Sequence, residues 1–441
     1  MTRRLRSLVL VVSAIVLVLA SLAPAAAAPA ASMAVEDRAD ILIERDTEFD
    51  AEHGVRSGRG TARDPYVISH WRMGNLRIHD TQSYFTIHHV EVGGTMVLDW
   101  TGRGLRLVDN LINDLRVNRN VARSGKATTG LIARNTFRVI GQLRHWDGVF
   151  ERNTVGAVDT VGNQAVNFDG FNGARFRNNT LYGTLDATLH GHHHGSGFGR
   201  ASHDHAGEAM SEEHADHAGH GYAPANVDHS RRYHEVWITG NTIQTTQPFA
   251  LTYNDVAHAV NDRTNASETD PELEKPHQHF TRIHLIGNRL TGGLAVTVFN
   301  QTDELHTRTN RGLVEIRGNR ISVARQGFNG WFAGPDGLVL SQVVHADVRV
   351  VGNVIQTGAA EGLGAVELFR DYDQGAGIRL GTFDRARVYL YDNTVVARPY
   401  GISAAGFTES VRWWIRGLRT EDVATPVAYD EASVPNKPTR S

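Results

Sequence analysis

The sequence predicts an all-β protein built as a right-handed parallel β-helix, a solenoid in which short strands stack coil upon coil. Three observations predict this fold. A short unit centred on Asn recurs along the chain, the flanking segments alternate with period two, and no long segment has the 3.6-residue period of an α-helix. A β-propeller also repeats, but each of its blades needs several hairpins, and the short Asn unit lacks that pattern.

The recurring unit is a small or charged residue followed by Asn, with apolar residues on both sides. Successive units are 25, 18, 26, 62, 47, 31, 34 and 40 residues apart, which fits a coil of about 20 to 26 residues extended by loops. Asn tolerates a left-handed backbone, so we expect it to make a sharp bend, helped by the residue before it. In coils stacked about 4.8 Å apart, the amides are expected to form a ladder. The nine units are centred on Asn110, Asn135, Asn153, Asn179, Asn241, Asn288, Asn319, Asn353 and Asn393.

Residues 1–31 have the features of a secretory signal peptide. Three Arg residues precede an apolar run over 8–19, and Ala-x-Ala cleavage sites follow it. The run is shorter than a spanning helix usually needs, so we expect no membrane span after cleavage. We expect a secreted or extracytoplasmic protein, periplasmic or at the cell surface. The near-absence of Lys beside many Arg suggests the codon bias of a GC-rich bacterium.

The rest of the chain divides into a cap, a stack of coils and a tail. The cap is expected because an open coil end would expose unpaired strand edges. Insertions in solenoids map to loops on one face, so the three polar or Gly-rich insertions are candidates for a shared face. The expected boundaries are 32–61 for the lead-in and cap, 62–417 for the β-helix, 418–441 for the tail, and 189–230, 261–279 and 326–337 for the insertions.

Composition excludes some kinds of site. The chain of 441 residues has no cysteine, so it has neither disulfides nor thiolate metal ligands. Its formal net charge of −3 provides no basic excess to displace counterions from phosphates. We therefore expect no nucleic-acid partner, and a fold stabilised by burial and backbone pairing alone.

The opening coils carry a family resemblance. The segments GRGTARDPYVISHW, over 58–71, and LRIHDTQSYFTIHHVEV, over 76–92, resemble the start of bacterial and archaeal right-handed β-helix proteins. These include the periplasmic copper-binding family associated with nitrous oxide reductase maturation. His88 and His89 stand where that family often has two Asn residues. The resemblance implies the β-helix fold and suggests copper handling, although this fold also supports many other functions.

One polar insertion is rich in histidine. Imidazole suits Zn(II) and Cu(II), and the interleaved Asp and Glu residues could complete or orient such sites. We predict that the insertion binds one of these metals, for capture or delivery, with a metal transporter or metalloenzyme as the expected kind of partner. A polar insertion of drifting composition, without any metal role, is the alternative, and no set of three or four ligands can be selected. The candidate ligands are His190, His192, His193, His194, His203, His205, His214, His217 and His220.

Two other functions remain open: a carbohydrate-active protein that binds or cleaves a polysaccharide, and a surface structural or adhesion protein. The best enzymatic group is Glu367, Arg370, Asp371, Asp373 and Arg379, in which three carboxylates share strand parity. Common acidic loops give the same pattern, so we assign no catalytic or cofactor-binding residue. Further candidates for binding are the aromatics Trp331, Phe332, Trp413 and Trp414, for which packing is favoured, and the histidines His277, His279 and His284, for which separate structural roles are favoured.

Overall fold

The computed structural model is all-β, as the sequence predicts. Among the residues it describes, the only helix is a single 3-10 turn at Asp46–Glu48. The structure describes residues 35–101, 104–118, 130–144, 148–156, 165–170, 174–190, 233–245, 249–254, 280–299, 312–323, 336–357, 375–397 and 400–440.

The described strands are numbered in chain order. The first are β1 (Glu36–Asp37), β2 (Ile41–Ile43), β3 (Val55–Ser57), β4 (Tyr66–Ser69), β5 (Trp71–Met73), β6 (Leu76–Thr81), β7 (Phe85–His88), β8 (Glu91–Thr101), β9 (Leu105–Val108), β10 (Leu111–Asn118), β11 (Leu131–Ala133), β12 (Thr136–Arg144) and β13 (Val149–Glu151). Next are β14 (Thr154–Val155), β15 (Ala165–Gly170), β16 (Arg175–Arg177), β17 (Thr180–Tyr182), β18 (Thr184–His190), β19 (Tyr233–Thr239), β20 (Thr242–Gln244), β21 (Phe249–Asn254), β22 (Phe280–Ile286), β23 (Arg289–Thr291), β24 (Leu294–Phe299), β25 (Gly312–Arg317) and β26 (Arg320–Val323). The last are β27 (Leu338–Ser341), β28 (Val343–Val344), β29 (Ala346–Val351), β30 (Val354–Thr357), β31 (Ala376–Leu380), β32 (Phe383–Asp384), β33 (Arg387–Tyr391), β34 (Thr394–Val396), β35 (Tyr400–Ala404), β36 (Arg412–Arg416), β37 (Arg419–Glu421), β38 (Thr425–Tyr429) and β39 (Thr439–Arg440).

Two long sheets carry almost all of these strands, one of 23 strands and one of 14. Pairing between described strands is parallel except for β3 with β4. A typical coil contributes one strand to the 14-stranded sheet and then two to the 23-stranded sheet. In one such coil, β22 pairs with β19 and β25, β23 with β20 and β26, and β24 with β21 and β27. This is the architecture of a parallel β-solenoid.

The interior is filled by the apolar residues of the alternating pattern. In β25, the residues alternate between buried and more exposed, and Val314 and Ile316 point inward. Side chains at equivalent positions stack from coil to coil, as Phe150 and Phe176 do with ring centroids 4.9 Å apart. Phe137, on a strand of the other sheet, has its ring centroid 6.2 Å from that of Phe150. Each coil thus covers the apolar face of its neighbour, which one coil could not bury alone.

The predicted Asn ladder is present. Asn135 donates from Nδ2 and from its backbone N–H to Oδ1 of Asn153, at 3.0 and 2.9 Å, and Nδ2 also donates to the backbone oxygen of Leu107. All nine asparagines are buried, and eight Nδ2–Oδ1 bonds of 2.9 to 3.1 Å join them. The ladder satisfies buried polar groups in three consecutive coils at a time.

The left-handed bend lies one residue earlier than the sequence predicts. Asp109 and Arg134, each just before a ladder Asn, have φ values of 58° and 57°, as do Gly287 and Gly318 at 65° and 63° in later coils. The asparagines themselves are not left-handed. The reason is that the Asn amide must point inward to reach both neighbouring coils, so the preceding residue turns the chain and points outward.

Both ends of the described chain belong to the stack. In the lead-in, β1 and β2 pair with β5 and β6. The region that the sequence leaves as a tail contains β37, β38 and β39, which pair with β34, β35 and β36. Trp413 is buried here and donates from Nε1 to the backbone oxygen of Asn436 at 2.6 Å.

Candidate functional site

Of the nine candidate metal ligands, only His190 belongs to a described segment. It is the last residue of β18, and its backbone is in register with Asn254 of β21. His192, His193, His194, His203, His205, His214, His217 and His220 lie outside the described residues, as do the signal peptide and His277 and His279.

The chain leaves and re-enters the stack at the same edge in three consecutive coils. The adjacent parallel strands β18, β21 and β24 end at His190, Asn254 and Phe299, and the chain returns at the adjacent strands β19, β22 and β25. The insertions 189–230 and 261–279 fall in the first two of these connections. The third insertion, 326–337, lies between β26 and β27, at a different point of the coil.

On the outer face of the strands that receive these connections, three side chains form a column. Trp237, His284 and Glu315 are in register on β19, β22 and β25. The rings of Trp237 and His284 stack with centroids 3.8 Å apart and planes inclined by 10°. His284 Nδ1 lies 2.9 Å from Glu315 Oε2.

His284 is only 6% exposed, although it points away from the apolar interior. Its Nε2 atom is buried and has no hydrogen-bond partner among the described residues. An N–H at Nδ1 that donates to the Glu315 carboxylate leaves Nε2 with a free lone pair. A carboxylate that orients an imidazole in this way is the usual second partner of a metal-binding histidine. The arrangement therefore suits a metal ligand or a hydrogen-bond acceptor.

The Glu315 carboxylate has a second neighbour, a guanidinium. Arg317 Nη1 lies 3.5 Å from Glu315 Oε1, on the same strand, while Oε2 faces His284. On the neighbouring strands, Arg282 and Glu235 form a separate pair at 3.3 Å. The Glu315 carboxylate thus lies between a guanidinium and an imidazole.

A complete metal site is not preformed in the described part of the chain. Within it, no group of three or more His, Asp or Glu side chains is placed to hold one ion. His284 thus offers one oriented nitrogen, and any further ligands would have to come from elsewhere.

Sequence reasoning did not connect Trp237 and Glu315 with His284, because they are 47 and 31 residues away from it in the chain. A signal was available, however. Each of the three residues stands four positions before a ladder Asn, at 241, 288 and 319. Equal offsets from a ladder position place residues in one column of the stack.

The enzymatic group is only partly described. Glu367, Arg370, Asp371 and Asp373 lie outside the described residues. Arg379 forms a two-pronged ion pair with Asp336, from Nε to Oδ2 at 2.5 Å and from Nη2 to Oδ1 at 3.0 Å. Asp336 is buried, and burial raises its pKa although the Arg379 guanidinium opposes the rise. Arg379 therefore balances a buried carboxylate, a structural role.

The described aromatic candidates pack against the fold. Trp413 is buried at the C-terminal end, and Trp414 stacks on Tyr389 with ring centroids 4.8 Å apart and planes inclined by 7°. Trp331 and Phe332 lie outside the described residues.

A groove of about 910 Å³ crosses the outer face of β5, β8, β10 and β12. It is lined by Gly74, Gly93 and Gly156, and Leu111 is exposed in it. Its charged rim contains Arg38, Arg72, Arg138, Asp37 and Glu91. Sequence reasoning did not identify the groove, because its residues are scattered over 120 positions of the chain, from 37 to 156.

No protein-family model, curated protein or solved structure matches the chain. Among the described residues, no helix is long and apolar enough to cross a membrane. Any function must therefore be argued from the residues themselves.

Proposed function

We propose that this protein binds a transition-metal ion, zinc or copper, through the His-rich insertion, and that it captures or delivers the ion outside the cytoplasm. His284 is the ligand that the folded body adds to this site. The observation that carries the proposal is the buried, unpartnered Nε2 of His284, oriented by Glu315, on a strand entered from the second insertion. The first insertion enters the neighbouring strand β19.

The donor chemistry supports a borderline metal ion. The insertion combines ten histidines with Asp and Glu residues, and the chain has no cysteine to offer a soft thiolate. Fixing the backbone of a residue so that its imidazole can bind a metal costs about 1 to 2 kcal/mol. A fixed imidazole on the fold lowers that cost, because one ligand is already in place.

The fold should tolerate removal of the insertion. The strands on either side of it, β16 and β19, β17 and β20, and β18 and β21, pair directly across the gap. The corresponding connection between β12 and β13 has only four residues, 145–148. A short linker can therefore close this coil.

The test is to replace 192–230 with a short Gly-Ser linker and to measure zinc and copper binding by calorimetry and metal analysis. We expect stoichiometric binding by the mature protein, and in the variant a loss of zinc binding and fewer bound Cu(II) ions per chain, with an unchanged far-UV spectrum. The matched control replaces 326–335, which contains no histidine, and should leave binding intact. Unchanged zinc affinity and an unchanged number of bound Cu(II) ions after removal of 192–230 would overturn the proposal.

Three further properties belong to the same proposal. We propose a right-handed coil, because crossovers between parallel strands are right-handed in about 98% of cases. The resemblance of the opening segments to the copper-binding β-helix family supports copper as the ion. Export is supported by residues 1–31, and the N-terminal sequence of the protein isolated from its own cells would test cleavage between 25 and 31.

A second candidate function is binding of an acidic polysaccharide in the groove. The groove on β5, β8, β10 and β12 supports it, because Arg38, Arg72 and Arg138 could pair with uronate carboxylates. Binding of polygalacturonate that weakens at least tenfold in Arg138→Ala, with the His-rich insertion dispensable, would favour this candidate. Equal binding of polygalacturonate by the natural protein and by Arg138→Ala would reject it.

A further inference from the structure

Three histidines cluster at one corner of the first coils, about 100 residues before the His-rich insertion in the chain. His70 and His89 are the left-handed residues of successive coils, with φ values of 58° and 53°, and their rings stack with centroids 5.3 Å apart. His88, the last residue of β7, meets both rings nearly at right angles, at 5.6 Å from His70 and 5.1 Å from His89. None of the nine candidate ligands belongs to this group.

The Nδ1 atoms of His88 and His89 lie 2.8 Å apart. When both imidazoles are neutral, only one of these nitrogens can donate, and the other must accept. A metal ion can take the place of the shared proton. With metal–nitrogen bonds of about 2.0 Å, a separation of 2.8 Å corresponds to an angle of about 90° at the metal, whereas a tetrahedral angle needs roughly 3.3 Å. The spacing therefore suits square-planar or tetragonal Cu(II) or Ni(II) better than tetrahedral Zn(II).

A carboxylate lies near the cluster. Asp109 follows His89 in the column of left-handed residues, interacts electrostatically with His88 and His89, and receives two bonds from Arg134, at 2.8 and 2.7 Å. A nearby carboxylate favours an added positive charge.

The backbone at this corner is strained for a residue with a side chain. A left-handed conformation costs a residue other than Gly about 1 to 2 kcal/mol. His70 and His89 begin a column of left-handed residues that continues with Asp109, Arg134, Arg152 and Asn178, and later coils have Gly at the equivalent positions 240, 287, 318 and 352. The strain thus belongs to the bend of the coil, and the histidine itself is what distinguishes the first two coils.

We propose that His88 and His89 form a two-nitrogen chelate for Cu(II) or Ni(II), with the imidazole of His70 adjacent to it and water completing the coordination. This site is separate from the proposed one at the insertion. Five strand spacings of the 14-stranded sheet, about 24 Å, separate β7 from β19, the strand at which the chain returns after the insertion. The chelate does not depend on the insertion being a metal site.

The test uses the mature protein with 192–230 replaced by the linker, so that the insertion cannot contribute. Cu(II) is titrated and followed by electron paramagnetic resonance, in which nitrogen ligands split the signal. We expect one Cu(II) per chain in a tetragonal site with nitrogen splitting. His88→Asn and His89→Asn should each weaken binding at least tenfold, and Zn(II) should bind less tightly than Cu(II).

The control is His79→Asn, because His79 lies on β6, 3.6 Å from Asp99 and outside the cluster, and its loss should leave copper binding unchanged. His89→Gly controls for misfolding, because Gly adopts the left-handed backbone without strain and lacks the imidazole ligand. The proposal is overturned if the linker variant retains no copper, or if His89→Gly binds it with full affinity. Either result leaves the insertion hypothesis untouched.

Discussion

Asn319 and Asn353 are joined twice: Nδ2 and the backbone N–H of Asn319 both donate to Oδ1 of Asn353, at 3.0 and 2.9 Å. Asn319 in turn accepts the same two bonds from Asn288, at 2.9 and 2.8 Å. Each ladder residue is thus donor to one coil and acceptor for the other. The column is a continuous chain of buried hydrogen bonds. Removing one member leaves unpaired donors or acceptors in the coils on both sides.

We expect Asn319→Ala to lower the free energy of unfolding by roughly 3 kcal/mol. The substitution removes the acceptor of Asn288 and the donor that serves the backbone oxygen of Leu285, and buried groups left unpaired cost about 1 to 3 kcal/mol each. Urea unfolding would measure the change. Asn113→Ala, at an outward position on β10, should change stability by less than about 0.5 kcal/mol. Equal effects of the two substitutions would contradict this role of the ladder.

Two glycines, Gly318 and Gly377, separate the effect of backbone strain from that of crowding. At Gly318, with a φ of 63°, an added Cβ would meet nothing within 4 Å, so Gly318→Ala should cost only the left-handed strain, about 1 to 2 kcal/mol. At Gly377 the φ is not left-handed, but a Cβ would lie 2.0 Å from Cγ1 of Val395. We expect Gly377→Ala to lower the melting temperature more than Gly318→Ala does. Val395→Ala should rescue Gly377→Ala but not Gly318→Ala.

The stack of parallel strands could be predicted because each coil repeats the same local rules. The spacing of Asn110, Asn135 and the later ladder residues marks the coils, and the alternation around them marks the strands. The sequence pattern predicts the bend at the Asn, one residue too late, because the backbone propensities of Asn and of the residue before it do not show which of the two is left-handed. Only the ladder geometry, which needs the amide to point inward, decides between them.

The candidate site could not be predicted to the same extent. Trp237 and His284 occupy neighbouring positions of one column although 47 residues of chain separate them. A connection of that length leaves no periodic signal from which their contact could be predicted. His88 and His89 were noticed as a departure from an Asn pair, but the approach of their nitrogens depends on side-chain rotamers. For the insertion, composition indicates chemistry without placing any atom.

The contact of the lead-in with β6 should make stability depend on pH. Burial alone would raise the pKa of Asp46, but hydrogen bonds from Thr81, Ser83 and Gln82 outweigh it and lower the pKa below 3.8. The folded state therefore binds this proton less readily than the unfolded state does, and the stabilisation is present above pH 3.8 and lost as the pH falls through the folded value.

We expect Asp46→Asn to be less stable than the natural protein at pH 6, and the difference to shrink as the pH falls below 3.8. Urea midpoints measured at several pH values would show this convergence. Thr81→Val removes one of the donors, so it should produce a smaller shift in the same direction. A difference that stays constant from pH 6 to pH 2.5 would mean that the Asp46 charge does not contribute.

The pairing of His284 with Glu315 predicts how metal affinity responds to a residue that need not touch the metal. A carboxylate that orients a ligand imidazole typically contributes 10- to 100-fold in affinity. We expect Glu315→Gln to weaken zinc or copper binding at least tenfold in the intact protein, because a neutral amide orients the imidazole less firmly. His284→Gln should weaken it at least as much.

Glu235→Gln is the matched control, since Glu235 lies on the same outer face but pairs with Arg282. It should leave metal affinity within about twofold, because it changes the net charge of this face as Glu315→Gln does without touching the imidazole. Calorimetry with each variant, at one ionic strength, separates orientation from overall charge. If Glu235→Gln and Glu315→Gln weaken binding equally, the effect is long-range electrostatics, and His284 is then a packed side chain rather than a ligand. If only Glu315→Gln weakens binding, His284, whose imidazole Glu315 orients, is a ligand of the metal.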